Sequence, residues 1–259
     1  MEVEPLEKRH FGSLSVPIVT LGTMRWKDKG LLKNDSFELV NHGLSLGFCM
    51  HHISSEYGSY ELYCDTIRNL RPAERQRIGV IAKIAIPEFR EHKFDYHILK
   101  KRVERYLQDL GIDRIDIVQW LDRWDGLDKH KDKKRILRYN EFRYELSDAI
   151  STLQKEGLIA EFACFPYTVD YAENIINQGL TEKFVNYYNP IETNYREVLR
   201  SSKGYIAIRP FKAGEVFEHG FNAEEALTFC LVEPISSVVV GVNNTDQLNK
   251  IYKTMTVSS

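Results

Sequence analysis

Short apolar runs, rich in β-branched residues, alternate with longer amphipathic segments along nearly the whole chain. The run at residues 78–84 is apolar at almost every position, which is typical of a strand buried on both faces. The segment 95–110 instead places its apolar residues on one face at helical spacing, and Gly111 follows it as a helix stop. This repeated order of strand and helix predicts an α/β protein with a parallel sheet.

The alternation amounts to about eight strand–helix units. The predicted strands are residues 16–22, 48–53, 78–84, 115–120, 159–165, 184–188, 205–208 and 236–241. The predicted helices are residues 35–46, 60–69, 95–110, 140–156, 169–178, 195–201, 223–232 and 245–253. The lysine-rich segment 127–138 offsets its bases with acids and is predicted to be a solvated surface loop.

Two architectures fit this alternation, an open doubly wound sheet and a closed parallel barrel. The open sheet normally carries a glycine-rich phosphate turn after its first strand, and Leu21-Gly22-Thr23-Met24 is not such a turn. The length of 259 residues is typical of one barrel. We therefore predict a single (β/α)8 TIM barrel domain over residues 1–259. Its active site is expected at the barrel mouth, by which we mean the C-terminal ends of the strands.

Composition narrows the class of protein. Lys and Arg total 35 against 37 Asp and Glu, so the net charge of −2 provides no basic field for nucleic acid or a membrane surface. No apolar run is long enough to span a bilayer, and the first ten residues are too charged for a secretory signal. The four cysteines lack metal or redox spacing, which is typical of buried thiols in a reducing compartment. We expect a cytoplasmic protein that acts on a small molecule.

Polar residues at the predicted strand ends are similar to those of a known family. His52 lies at the end of the second strand with Tyr57 in the loop after it, and Lys83 lies at the end of the third strand. Further matching segments, in chain order, are Leu21-Gly22-Thr23-Met24, residues 107–113, residues 154–157, Tyr188-Asn189, residues 209–214 and residues 241–248. Together these segments resemble the aldo-keto reductase family over nearly the whole chain.

The resemblance implies reduction of a carbonyl compound at the barrel mouth. In the family a Tyr donates the proton, a Lys lowers the pKa of that Tyr, an Asp holds the Lys and a His orients the carbonyl group. Tyr57 and Lys83 match the Tyr and the Lys, whereas the Asp position is His52 and the His position is Leu121. The resemblance thus implies catalytic roles for Tyr57, Lys83 and His52 within an incomplete set.

The resemblance also implies that NADP(H) binds beside the first, seventh and eighth strands. The implied cofactor-binding residues are Gly22, Thr23, Met24, Arg209, Lys212, Gly241, Asn244 and Gln247. Phe165-Pro166 replaces a Ser-Asn pair that holds the carboxamide in the family, and Val185 or Asn186 replaces a Gln. Residues 243–247 lack a basic partner for a 2′-phosphate. These replacements predict weak NADPH binding with little preference over NADH.

The chemistry of the matched residues gives two expectations about protonation. An ammonium group beside a phenol favours the phenolate, so Lys83 is expected to lower the pKa of Tyr57. Because His52 replaces a carboxylate, burial is expected to lower the pKa of Lys83, which could then act as a base or a Schiff-base nucleophile. Adjacent His51 and His52 point to opposite faces of a strand, so we expect no metal site.

Two loops form the usual anion-binding corner of a barrel. Arg209 and Lys212 follow the seventh strand, and Asn244 precedes the last helix. The alternative is that Lys212 is an ordinary surface charge and Asn244 an ordinary helix cap. Aromatic side chains are expected to wall the mouth, namely Trp26, Trp120 and Trp124.

Three functions remain open. The first is an oxidoreductase that acts on a small polar carbonyl compound or alcohol, such as a sugar derivative, with Tyr57 as the acid/base group and Lys83 assisting it. The second is a cofactor-independent lyase, dehydratase or epimerase that uses Tyr57, Lys83 and His52. The third is a binding protein that has lost reductase activity. The resemblance favours the first function, and the replaced residues favour the other two.

Overall fold

Eight parallel strands close into a barrel in the computed structural model of the protein, which describes residues 4–89, 91, 93–123 and 132–257. The barrel strands are β3 (Val19–Gly22), β4 (Met50–Ser54), β5 (Gly79–Ala85), β6 (Ile115–Leu121), β7 (Ile159–Cys164), β8 (Lys183–Tyr187), β9 (Gly204–Ile208) and β10 (Ser237–Gly241). Each strand pairs with the next, and β10 pairs with β3 to close the ring. The predicted (β/α)8 barrel is confirmed.

Helices pack around the outside of the barrel. They are α1 (Lys33–Leu46), α2 (Tyr60–Arg68), α3 (Pro72–Arg75), α4 (Tyr96–Leu110), α5 (Asp132–Lys155), α6 (Val169–Asn177), α7 (Arg196–Ser201), α8 (Glu215–Glu218), α9 (Ala223–Leu231) and α10 (Thr245–Val257). α4 shows how the sequence sets such a helix. The carboxylate of Asp95 caps its first turn, Leu99 and Val103 lie on its buried face, and Gly111 ends it at φ = +62°. Among the described residues, no helix is both long and apolar enough to cross a membrane.

The predicted surface loop at residues 127–138 is wrong from Asp132 onward. Helix α5 begins there, well before the predicted start at residue 140, and residues 127–131 lie outside the described ranges. Arg135 and Arg138 are buried, and the guanidinium of Arg135 lies 4.7 Å from the centre of the Tyr167 ring. The balance of acidic and basic residues along this segment says nothing of which bases pack against other side chains, so it did not indicate the burial of these two arginines.

An N-terminal hairpin closes the end of the barrel opposite the mouth. The predicted strand at residues 16–22 is in fact two strands, because β2 (Leu14–Pro17) turns back to pair with β1 (Lys8–Phe11) before β3 begins. The side chain of Phe11 is fully buried among the inward-facing residues of the barrel. The buried carboxylate of Glu161 accepts hydrogen bonds from the Ser13 backbone N–H and hydroxyl, at 2.7 and 2.6 Å. Strands of only four residues are too short to show a clear period, so the sequence pattern did not indicate them.

Alternation along the central strands decides which side chains face the barrel axis. Met50, Ile81 and Ile117 belong to the inner apolar layer. Two residues further along the same strands, His52, Lys83 and Gln119 form the next layer towards the mouth. The apolar residues Ala85, Leu121 and Phe165 lie nearest the mouth.

Candidate active site

The structure brings Tyr57, His52 and Lys83 together at the barrel mouth. His52 is buried on β4, Lys83 lies on β5, and Tyr57 lies in the loop that follows β4. The Tyr57 hydroxyl is 3.5 Å from His52 Nδ1, and the Lys83 ammonium nitrogen is 5.5 Å from the centre of the Tyr57 ring. Leu121 lies nearby, 2% exposed and packed against Ala85 and Phe165.

Gln119 orients the imidazole of His52. The Gln119 Nε2 amide donates to the backbone oxygen of Val185 at 2.9 Å, which turns Gln119 Oε1 towards His52 Nε2 at 2.8 Å. Because Gln119 presents an acceptor, His52 carries its proton on Nε2 and offers the lone pair of Nδ1 to the Tyr57 hydroxyl. Burial lowers the pKa of His52 to about 4, so the ring is neutral at physiological pH.

A carboxylate lies next to Lys83, but it comes from a different position in the sequence than the Asp of the resembled family. Glu56 Oε2 lies 3.0 Å from the Lys83 ammonium nitrogen, with both side chains less than a third exposed. Arg123 pairs with the same carboxylate, its second guanidinium nitrogen lying 2.7 Å from Glu56 Oε2. Neither Glu56 nor Arg123 was predicted for this role from the sequence. The available signal was that Arg123 lies two residues after Leu121, where β6 ends.

The structure supports one expectation about protonation and contradicts the other. Burial lowers the pKa of Lys83, as expected, and the Glu88 carboxylate partly opposes this effect. The expectation that Lys83 lowers the pKa of Tyr57 is wrong, because burial raises the pKa of that phenol, with smaller contributions from Tyr106 and Tyr187. The phenol therefore stays protonated at neutral pH and has a proton to donate, and its raised pKa makes it a weaker acid than an unperturbed phenol.

The described residues contain no group of three His, Cys, Asp or Glu side chains placed to hold a metal ion. His51 and His52 point to opposite faces of β4, as the strand geometry requires. The His51 Nδ1 atom lies 2.9 Å from the Tyr63 hydroxyl, and its Nε2 atom lies 3.2 Å from the backbone oxygen of Phe48. Both nitrogens of His51 are therefore engaged on the outer side of the barrel wall.

Trp26 and Trp120 do not wall the mouth, which corrects the expectation from the sequence. Their side chains are 1% and 0% exposed and lie in the apolar layer between the strands and the helices. Each indole N–H donates to a backbone oxygen, that of Val242 for Trp26 and that of Ile86 for Trp120. Trp124 lies outside the described residues.

Other aromatic residues take that place at the mouth. Phe165 contacts Tyr167 and Tyr187 edge to face, both with ring centres 5.1 Å away. Phe165 belongs to the apolar cluster of the mouth, and Tyr167 and Tyr187 pack against that cluster. Propensity alone did not distinguish these rings from core aromatics.

The residues implied to hold a cofactor follow three neighbouring strands, β9, β10 and β3. Gly22, Thr23 and Met24 follow one another at the end of β3, and the Thr23 hydroxyl donates to the backbone oxygen of His52 at 3.2 Å. Gly241 ends β10 and is exposed. The structure therefore gathers the implied cofactor residues along one side of the mouth.

Two of these residues, Asn244 and Gln247, accept backbone N–H groups at the start of α10. Asn244 Oδ1 accepts the backbone N–H of Gln247 at 2.9 Å, and Gln247 Oε1 accepts the backbone N–H of Asn243 at 3.1 Å. This arrangement matches the alternative reading of Asn244 as a helix cap. The three side chains are neutral amides, so they provide no cation for a 2′-phosphate.

Arg209 and Lys212 differ in their ionic partners. The Lys212 ammonium nitrogen lies 2.9 Å from Glu215 Oε2 and 3.9 Å from Glu192 Oε1, so its charge is balanced by carboxylates. Arg209 is exposed and its guanidinium lies 4.8 Å from the centre of the Tyr187 ring. Within the described ranges, no acidic side chain lies within ion-pair distance of Arg209.

The residues present do not fit NADP(H) held in the manner of the resembled family. Neither Phe165 nor Pro166 has a side-chain donor for a carboxamide, and Phe165 is packed among aromatic rings. Lys212 is neutralised by two carboxylates where a pyrophosphate would need positive charge. The start of α10 presents only neutral amides. All three regions that the resemblance implies for the dinucleotide differ from the family's pattern.

Comparisons with known proteins agree with the fold. The model of the Aldo/keto reductase family matches residues 18–215. A candidate aldo-keto reductase from Pseudomonas aeruginosa has a similar structure, with a TM-score of 0.70 at 20% identity, covering 98% of this chain and 96% of that one. An aldo-keto reductase from Bacillus halodurans in its holo form gives 0.72 at 16% identity, covering 96% and 90%. No curated protein sequence matches the chain. At these identities the solved structures establish the fold alone.

Proposed function

Because this chain belongs to the aldo/keto reductase family, we propose that it is an oxidoreductase acting on a small polar carbonyl compound or the corresponding alcohol. Tyr57 is the acid/base group in this proposal, and Lys83 assists it. The observation that carries the proposal is the Tyr57 hydroxyl at the barrel mouth, 3.5 Å from His52 Nδ1, with the Lys83 ammonium 5.5 Å from the centre of its ring.

The state of Tyr57 favours the direction in which a carbonyl is reduced. A carbonyl oxygen that gains negative charge needs a proton donor within hydrogen-bond reach, and the protonated phenol can give its proton to an alkoxide, which is the stronger base. The same raised pKa leaves almost no phenolate at neutral pH to act as a base towards a carbon acid. Proton donation to oxygen is therefore better supported than proton abstraction from carbon.

The neighbours of Tyr57 have supporting roles. His52 Nδ1 accepts from the Tyr57 hydroxyl and so limits the rotation of that group, while Gln119 keeps the ring in the required tautomer. The Lys83 ammonium stabilises the phenolate that remains after proton transfer. Glu56 keeps this ammonium in place, as the Asp does in the resembled family.

NADP(H) is the reductant that the family uses, and the altered contact regions described above support weak binding here without preference for the 2′-phosphate. The proposal accordingly assigns the proton to Tyr57 and assigns no residue of this chain to holding the cofactor.

The altered cofactor regions favour a second candidate, a cofactor-independent lyase, dehydratase or epimerase in which His52 takes part in proton transfer. The third candidate, a non-catalytic binding protein, shares the same scaffold.

Titration of the pure protein with NADPH and with NADH separates these candidates. Cofactor fluorescence reports binding, and a panel of small polar aldehydes reports reduction. Saturable binding of either dinucleotide together with its aldehyde-dependent oxidation is the result expected for the oxidoreductase. Absence of both binding and oxidation up to millimolar dinucleotide would contradict the proposal and leave the two other candidates.

A further inference from the structure

We infer that Arg209 binds an anionic group of the substrate, a carboxylate or a phosphate, at the mouth that also holds Tyr57. The inference deepens the proposed function and rests on it in one respect, which is that the substrate occupies the mouth. It makes the substrate a small carbonyl compound or alcohol that carries a negatively charged group.

Arg209 has no acidic partner among the residues that the structure describes. Three other described cations near the mouth each lie within ion-pair distance of a carboxylate: Lys83 and Arg123 share Glu56, and Lys212 pairs with Glu215. A cation without a carboxylate partner can accept an anion without first breaking an ion pair.

The guanidinium of Arg209 lies over an aromatic ring at the mouth. It lies 4.8 Å from the centre of the Tyr187 ring, and Tyr187 packs against the apolar cluster of the mouth. Stacking on a ring occupies the flat face of a guanidinium and leaves its N–H edge free. A carboxylate or a phosphate can accept two parallel hydrogen bonds from that edge.

The backbone of Arg209 adopts φ = +59°, a left-handed conformation that is unfavourable for a residue other than glycine. Two hydrogen bonds hold the backbone there: the backbone oxygen of Arg209 accepts from Asn189 Nδ2 at 3.0 Å and from the Lys212 N–H at 2.9 Å. Backbone strain of this kind concentrates at ligand sites.

The competing assignment is that Arg209 holds the phosphates of a dinucleotide. The contact with Tyr187 argues against this assignment, because it places the Arg209 guanidinium beside the aromatic rings of the mouth. Lys212 lies further along the chain, on the 3-10 turn at Lys212–Gly214. The two assignments predict different losses when Arg209 is replaced, so one experiment can separate them.

The test measures binding, so that it does not depend on turnover. Isothermal titration calorimetry of the full chain uses succinate as the carboxylate probe, inorganic phosphate as the phosphate probe and NADPH as the dinucleotide, with uncharged 1,4-butanediol as the control ligand. The variants are Arg209→Leu, Arg209→Lys and the control Arg105→Leu, which removes an exposed arginine from α4. Thermal unfolding of each variant checks that the fold is retained.

The expected result is saturable binding of one anion to the unaltered chain and to Arg105→Leu, and none of the diol. Arg209→Leu should weaken anion binding by about 10- to 100-fold, the usual cost of losing hydrogen bonds to a charged group. Arg209→Lys should bind the anion with intermediate affinity, because lysine keeps the positive charge and lacks the paired N–H donors of the guanidinium. Succinate and phosphate distinguish which anion the site prefers.

Equal anion binding in the unaltered chain and in Arg209→Leu would overturn the inference, as would no saturable binding of either anion. A loss of NADPH affinity in Arg209→Leu with anion binding unchanged would overturn it in favour of the dinucleotide phosphates. If the chain binds an anion through Arg209 but reduces no aldehyde, the inference holds and the proposed function fails. The two failures are therefore distinguishable.

Discussion

The carboxylate of Glu56 lies 3.0 Å from the ammonium nitrogen of Lys83, although Glu56 lies in a loop and Lys83 on a neighbouring strand. The resembled family places its lysine-binding carboxylate on the strand, at the position of His52 here. Glu56 reaches Lys83 from the residue next to Tyr57. Glu56 thus provides from the loop a carboxylate at Lys83, and His52 on the strand contacts the Tyr57 hydroxyl.

Replacing Glu56 should change the protonation of Lys83. In Glu56→Gln the Lys83 ammonium loses its carboxylate while Arg123 remains close, so its pKa, already lowered by burial, should fall further. A decrease of one pKa unit makes the neutral amine about tenfold more abundant near neutral pH. Reductive methylation at pH 7.5, mapped by mass spectrometry, should therefore modify Lys83 faster by a similar factor.

The control for this experiment is Glu74→Gln, which removes a carboxylate from a surface ion pair with Arg71. The Lys83 methylation rate should be unchanged in that variant. If Glu56→Gln also leaves the rate unchanged, Glu56 does not determine the charge state of Lys83.

Two buried histidines should make stability depend on pH. Burial lowers the pKa of both His51 and His52 to about 4, below the value of 6.5 for an exposed histidine. Well above pH 6.5 neither the folded nor the unfolded chain binds these protons. As the pH falls from 6.5 towards 4, the unfolded chain takes up protons that the folded chain does not, so the free energy of unfolding decreases.

The expected slope is at most about 1.4 kcal/mol per pH unit for each histidine. Urea unfolding followed by circular dichroism between pH 5.0 and 7.5 measures it. In His52→Gln the pH dependence of the free energy of unfolding should lose the contribution of one histidine. The control His97→Gln alters an exposed histidine on α4 and should leave the slope unchanged. An identical slope in all three proteins would contradict the assignment of a neutral, buried His52.

Local periodicity was enough to predict the barrel, because strands and helices differ in the spacing of their apolar residues. It did not predict the side chains that meet across strands. Lys83 and Glu56 are 27 residues apart in the sequence, and their contact depends on how a loop folds over β5. The pKa of Tyr57 was predicted with the wrong sign because burial, which dominates it, is a property of the packed mouth.

The N-terminal hairpin should contribute strongly to stability. Phe11 is fully buried among the inward-facing residues of the barrel, so Phe11→Ala should leave a cavity and decrease the free energy of unfolding by about 3–5 kcal/mol. Phe37→Ala on α1, where the side chain is 37% exposed, is the matched control and should cost much less. Chemical denaturation of both variants measures the difference. Equal costs would show that the hairpin does not seal the barrel.

Removing the hydroxyl of Tyr57 tests its role as the proton donor. Tyr57→Phe should leave folding and ligand binding nearly intact and decrease the rate of carbonyl reduction by about 10²- to 10⁴-fold, the usual effect of losing a positioned acid. Tyr144→Phe removes a hydroxyl from an exposed tyrosine on α5 and should retain full activity. Steady-state rates with the best aldehyde of the panel provide the comparison. Full activity in Tyr57→Phe would exclude the role assigned to that hydroxyl.

Restoring the family's residues distinguishes lost reductase chemistry from new chemistry. In His52→Asp/Leu121→His, an Asp returns to the strand beside Lys83 and a His replaces the apolar side chain of Leu121 at the mouth. If the present centre is a weakened reductase, NADPH-dependent reduction of simple aldehydes should increase in the double variant. If the chain uses His52 for proton transfer without a cofactor, the same change should abolish its native turnover and create no reductase activity. Since His52 contacts both Tyr57 and Gln119, the single variant His52→Asp is the control that shows how much of either effect comes from that contact alone.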